Sequence, residues 1–375
     1  MGTAEQLIAR AHDTVEVIAK NADESERERR LVPPVVDALT SAGLMNMCVP
    51  AAYGGNEVDP ITLTSIISIL SHADGAAGWC SMIASTTSSM AAFLPPDGAQ
   101  EIYGDPHSVT GGVFAPNGIG TVDDAVVTVS GRWAWGSGTQ HCNWVLGGTR
   151  CDDDTFRLCW FDAEQVIFHD TWHTGGMRGS GSLDYEVAGA AVPHHRTMQP
   201  GVSPPQVDGP LARMPNFSLL AASVAAVGLG VARRSLDELY EMAGGKRPQF
   251  SSKTLAGHAH TQIEVAKAEA RLRSAQAYLS DALGDAWNTV VADGAASIEQ
   301  RTEIRSAAVH AASESAAVAD VAYTLAGGTA VYDTSVLGRC LRDAHVVTQH
   351  IQTAPKLFER IGQLRLGFDV DVSMW

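Results

Sequence analysis

The chain has 375 residues, 18% of them charged and 45% hydrophobic, enough for two or three packed units or one large one. A formal net charge of −16 argues against a nucleic-acid-binding surface, and with no run of about 18 apolar residues no membrane span is expected. Met1–Gln6 lacks the basic-then-apolar order of a secretory signal. Six cysteines without Cys-x-x-Cys or zinc spacing read as reduced, buried thiols of a cytoplasmic protein, with no metal centre.

Residues 1–106 read as helical. Apolar residues recur at three-to-four spacing from Thr3 to Ala19 and from Ser25 to Ala42, the second stretch carrying Pro33-Pro34. Pro60 opens a helix with Leu63, Ile66, Ile67 and Leu70 on one face. Ala76–Leu94 is rich in Ser, Thr and Ala, which suits close packing or a cavity wall. Residues 107–205 change to short β-branched and aromatic runs, Val126–Val129, Trp144–Leu146, Phe156–Phe161 and Val166–Phe168, separated by Gly, Asp and Asn. Residues 206–375 are helical again, over Leu219–Met242, Ala256–Leu283, Glu299–Leu325 and a last pair within Ser335–Phe368. Gly228-Leu229-Gly230 lies inside a helix with no strand before it, so a dinucleotide-binding loop is not expected. His169, His173, His194 and His195 lack metal-ligand spacing and read as solvated loop residues. The expected class is α+β, mainly α: a helical N-domain, a central antiparallel β domain and a C-terminal four-helix bundle.

Local motifs sharpen this. Ala42-Gly43-Leu44 through Val49-Pro50 to Tyr53-Gly54-Gly55, and Ala326-Gly327-Gly328-Thr329 followed by Arg339 and Arg342-Asp343-Ala344, resemble the acyl-CoA dehydrogenase superfamily of flavoproteins along nearly the whole chain. In that family the Arg-Asp-Ala run precedes Tyr-Glu-Gly-Thr, whose Glu removes the substrate's alpha proton. Here the Tyr falls on His350, the Glu on Ile351 and the Thr on Thr353. An Ile cannot take a proton; a His can hold or donate one. Gly131-Arg132-Trp133-Ala134-Trp135-Gly136-Ser137-Gly138, then His141-Cys142-Asn143-Trp144, then Gly176-Met177-Arg178-Gly179-Ser180-Gly181-Ser182 resemble the reduced-flavin-dependent monooxygenases of the same fold. Those enzymes often carry a His in the helix after Gly78-Trp79. Ser81–Ser89 has none, so an acid/base there is missing or supplied by a hydroxyl.

The resemblance implies a flavin, FAD or FMN, supplied reduced by a separate reductase, since no NAD(P)H motif appears. It implies O2 and a small, aromatic substrate, and a homo-oligomer, a tetramer in the family. Trp135 would wall the isoalloxazine. Ser137, two residues on along an extended backbone, would share its side and reach N5. Arg247 and Phe250 would serve the phosphates, Gln262 and Gly327-Gly328 a cofactor across the subunit boundary, and Thr353 the cofactor. His350 would be the catalytic proton carrier. Plainer roles stand beside these: a turn Ser, a core His, a surface Arg, a helix-terminal Gly pair. Two other functions also fit the missing Glu: an FAD-dependent acyl-CoA dehydrogenase with its base relocated, and a non-catalytic partner subunit of a heteromeric dehydrogenase.

Overall fold

The computed structural model describes residues 3–375; Met1 and Gly2 lie outside them. Helices α1 (Thr3–Glu28), α2 (Pro33–Ser41), α3 (Pro60–Ala73), α4 (Gly75–Ser88) and α5 (Pro96–Tyr103) precede the strands. These are β1 (Thr110–Val122), β2 (Val126–Gly136), β3 (Trp144–Cys151), β4 (Phe156–Asp162), β5 (Ile167–His169), β6 (Leu183–Pro193) and β7 (Thr197–Met198). Then come α6 (Pro210–Arg213), α7 (Asn216–Ala243), α8 (Ala259–Asp293), α9 (Ile298–Ala326), α10 (Val336–Val347) and α11 (Leu357–Arg365).

Two compact units cut across the compositional zones. The first holds the chain to Asp59, Trp79–Thr174 and Arg178–Arg213. Its helical start breaks where one helix over Ser25–Ala42 was expected. Arg29 turns to φ 55°, Val32 is extended, and Pro33 restarts the chain as the first residue of α2. A proline has no N–H and crowds the preceding turn, so it begins a helix and does not continue one. The seven strands form one sheet in the order β5-β6-β2-β1-β3-β4-β7. It is antiparallel except for β1 and β3, which pair in parallel. The Gly- and Pro-rich β1 escaped the pattern search; its pairing shifts register on both sides of Pro116. Trp133 anchors the sheet core, stacked on Tyr185 at 5.2 Å and donating from its indole N–H to the Gly148 carbonyl at 3.0 Å.

The second unit holds Pro60–Gly78, Gly175–Met177 and Met214–Trp375. Here α7, α8, α9 and α10 form the bundle and α3 packs on α7. Close approach explains the glycine pair in α7. A Cβ on Gly230 would lie 2.4 Å from the Ser68 carbonyl oxygen, and Ser68 Oγ donates to the Ala226 carbonyl across the same contact. By length and composition α7 is apolar enough to cross a bilayer, yet 78% of its apolar window is buried, as a bundle's core helix requires. None of the six cysteines forms a disulfide, and all are buried. Among the described residues no three His, Cys, Asp or Glu side chains gather to hold a metal.

Candidate active site

The β2–β6 pairing shifts register between Trp133 and Gly136. At this bulge Trp135 adopts φ 66° and leaves its indole 74% exposed. A non-glycine residue held there stores on the order of 1 kcal/mol or more of strain. The expected period-two alternation therefore fails: the chain turns, Ser137 N donates to the Trp135 carbonyl at 2.9 Å, and Ser137 is buried. Its hydroxyl accepts from the Trp79 indole N–H at 2.9 Å and lies 2.6 Å from the Ser182 hydroxyl, which is 2.7 Å from that of Ser180. An indole N–H only donates. Ser137 Oγ thus keeps one proton of its own, to give to Ser182 or to a ligand. Sequence reasoning missed this relay, although Gly78-Trp79 and Ser180-Gly181-Ser182 were both in view.

Beside it, a Cβ on Gly138 would lie 3.1 Å from the His141 ring, so glycine at φ 68° suits both the turn and the neighbour. Burial pushes His141 down to about 4. The hydroxyls of α4 do not replace the absent histidine. Ser81 and Ser85 donate to the Leu44 carbonyl, Thr86 and Ser88 donate back to their own helix, and Ser89, just past its end, donates to the Thr86 carbonyl.

In the bundle, His350 sits in the turn between α10 and α11, within the stretch expected to hold the last pair of helices. The fully buried Thr353 fixes that turn, its hydroxyl donating to the Val347 carbonyl at 2.7 Å. His350 Nδ1 accepts from the Gln352 N–H at 3.3 Å. Burial, and then the positive charge of Arg305, lower His350 from 6.5 to about 4; it is neutral at pH 7. Ile351 is 64% exposed. Arg342 and Asp343 hold a loop: Arg342 Nε donates to the Gly175 carbonyl at 2.7 Å, and Asp343 Oδ1 accepts from Met177 N at 2.5 Å.

The remaining candidates gather at the other end of α10. Lys246 Nζ donates to the Ala326 carbonyl and the Thr329 hydroxyl, tying the loop of Arg247 and Phe250 to the turn of Gly327 and Gly328. Arg247 donates to the Ser252 carbonyl, Gln262 to the Ala256 carbonyl at 3.0 Å, and no atom lies within 4 Å of a Cβ built on Gly327 or Gly328. Phe250 is 100% exposed at φ 62°. The first unit thus presents an exposed aromatic face at Trp135 near a buried hydroxyl with a proton to give, and the second an exposed Phe250 and a cation near an open glycine turn. Arg305 was also missed: one of two Arg in the Ala-rich α9, and 1% exposed. Its signal was there, as a charge on the helix face that carries Ala308 and Ala312.

Comparison with known proteins agrees. The acyl-CoA dehydrogenase N-terminal domain profile matches residues 3–99 and the C-terminal domain profile residues 222–355. The chain is 35% identical to indole-3-acetate monooxygenase of Pseudomonas putida, over 92% of this chain and 89% of that protein. It is 27% identical to the flavin-dependent monooxygenase oxygenase subunit HsaA of Rhodococcus jostii, over 90% and 92%. The crystal structure of 3-HSA hydroxylase from Rhodococcus superposes with a TM-score of 0.91 at 25% identity, covering 99% of each chain. The chain accordingly belongs to the acyl-CoA dehydrogenase family of flavoproteins, and within it to the flavin-dependent monooxygenases.

Proposed function

We propose that this protein is the oxygenase component of a two-component system, which takes reduced FMN or FAD from a separate reductase and inserts one atom of O2 into a small aromatic substrate. The observation that carries this is a neutral histidine where the dehydrogenases place a Tyr, beside an isoleucine where they place the base. A dehydrogenase needs a carboxylate there, and the start of α7, Asn216–Leu220, offers none.

The bound reduced flavin supplies the electrons that activate O2. Trp135 offers it a flat apolar face. Ser137, fed by the Trp79 indole, donates its remaining proton to an acceptor at the flavin edge. His350, neutral at pH 7, accepts a proton or hydrogen-bonds an anionic oxygen without adding a charge of its own. Arg247, Phe250, Gln262, Gly327 and Gly328 serve the phosphate end of a cofactor. The 12 residues of α10 place them roughly 18 Å from the His350 turn, which favours their serving a neighbouring subunit's flavin. Exposed Val331, Tyr332, Leu366 and Phe368 favour the same homotetramer. We place the enzyme in the cytoplasm on its free thiols.

Mixing the protein and anaerobically reduced FMN or FAD with O2 and a panel of indoles and phenols tests this. Hydroxylated product is expected, with His350→Ala and Ser137→Ala each lowering its rate by roughly 10²–10⁴-fold and releasing hydrogen peroxide instead. Absence of product from every aromatic, together with reduction of bound flavin by an acyl-CoA, would establish the relocated-base dehydrogenase.

A further inference from the structure

Arg305 poses a problem that the proposed mechanism leaves unsolved. It is buried, yet its Nη atoms donate only to neutral acceptors: the Gln352 carbonyl at 3.1 Å and its side-chain oxygen, the Phe217 carbonyl at 3.3 Å and the Met374 carbonyl at 2.6 Å. Among the described residues no side-chain carboxylate pairs with it, and burial alone lowers it to about 10. Its Nε–H has no partner at all. A buried unpaired charge costs several kcal/mol in general, so a fold retains one where an anion arrives to meet it.

The surroundings show where that anion would sit. Arg305 lines a cleft of about 340 Å³, within the range of small-molecule sites. Ile351, Leu357 and Met374 give it an apolar wall, and Lys356 and Arg360 stand at its edge. Among the lining side chains three are cationic, Arg305, Lys356 and Arg360, against the one carboxylate of Glu359. Arg301 holds the tail that closes one side, donating to the Trp375 oxygen at 2.7 and 3.0 Å. Gln352 lines the same cleft and bonds His350, so the cleft begins one hydrogen bond from the catalytic candidate.

We infer that this cleft recognises the carboxylate of a small aromatic acid, with the anion toward Arg305 and the ring against Ile351, Leu357 and Met374. The assignment rests on the proposed function in taking that acid as the substrate; the binding site itself does not.

Isothermal calorimetry with the full chain, free and loaded with reduced flavin, compares indole-3-acetate, its neutral isostere indole-3-acetamide, inorganic phosphate and FMN. The acid is expected to bind about tenfold or more tightly than the amide, a preference set by pairing a buried charge. In Arg305→Gln that ratio falls to near one. In the double variant Lys356→Ala/Arg360→Ala, both exposed positions, the acid weakens by about three- to tenfold and the amide does not change. Equal binding of acid and amide to the wild type overturns the inference. So does an acid preference that survives in folded Arg305→Gln, or, if that variant does not fold, an acid affinity unmoved by the double variant. Phosphate or FMN displacing the acid at equal affinity makes this a phosphate site and overturns it too. The two proposals fail separately: hydroxylation of neutral indole without any acid preference sinks only the anion site, and acid binding without hydroxylation of any aromatic sinks only the monooxygenase.

Discussion

Replacing His350 by Asn tests the electrostatics of the turn directly. Asn keeps an acceptor near the position of Nδ1, which takes the Gln352 N–H, and removes the titration. With the folded imidazole at about 4 against 6.5 ordinarily, the unfolded chain binds more protons between those values, so stability rises with pH across the window and is lost as pH falls through it. At pH 5 the unfolded ring is roughly 97% protonated and the folded one roughly 10%, a difference worth about 2 kcal/mol; at pH 7 it is near zero. Discounted for a ring that still touches solvent, about 1–2 kcal/mol remains. Urea denaturation of wild type and His350→Asn at pH 7 and pH 5, at one protein concentration, isolates it, because every other titrating group, His141 included, cancels in the comparison. The variant should lose about 1–2 kcal/mol less than wild type between the two pH values. Identical losses would mean that the imidazole is charged in the folded state, and with that its proposed role as a neutral acceptor goes.

Two further expectations concern packing. Asp343→Ala removes the acceptor of the 2.5 Å bond from Met177 N, a residue held at φ 50°, and should cost about 1.5–3 kcal/mol by urea denaturation, with Asp343→Asn intermediate; a neutral result would remove Asp343 as the anchor of Gly175–Met177. Gly230→Ala forces a methyl to 2.4 Å from the Ser68 carbonyl oxygen, a backbone atom that cannot swing aside, and should cost about 1–3 kcal/mol; Gly228→Ala, whose nearest neighbour is the Ser315 hydroxyl at 3.1 Å, should cost less, and the reverse order would refute the account of α3 packing on α7.

The long bundle helices were legible because the 3.6-residue period persists through them, and their ends carry chemical punctuation. Ser297 caps α9 in a capping box with Gln300, and Gly294 at φ 89° closes α8. Strands were legible only where β-branched residues cluster. In β1 the sequence Thr-Gly-Gly-Val-Phe-Ala-Pro-Asn-Gly hides a strand, since its pairing, not its composition, makes it one. At the site, residue identities were legible from the motifs, and their directions were not. Period-two alternation put Trp135 and Ser137 on one side until the bulge separated them. His350 lay within the stretch expected to hold the last pair of helices, where side-chain bonds from Thr353 make a turn. Arg305 was legible only as a charge on an apolar helix face; its partners, the Gln352 turn and the Met374 tail, lie 47 and 69 residues away in the chain.

The exchange of Glu for Ile at 351 changes more than one proton acceptor. Ile351 and Arg305 line the same cleft. A carboxylate at 351 would stand in the field of a buried guanidinium, be held ionised, and supply that guanidinium with its missing countercharge. With Ile there the positive charge is left over. Its field, after burial, lowers the proton affinity of His350. The charge itself is available to an incoming anion. A ligand carboxylate bound at Arg305 would then screen that charge and raise His350 by the smaller part of its shift, burial keeping the larger, so that binding and proton affinity become linked. With Ile at the position of the dehydrogenase base, the proton affinity of His350 would therefore respond to a carboxylate bound at Arg305.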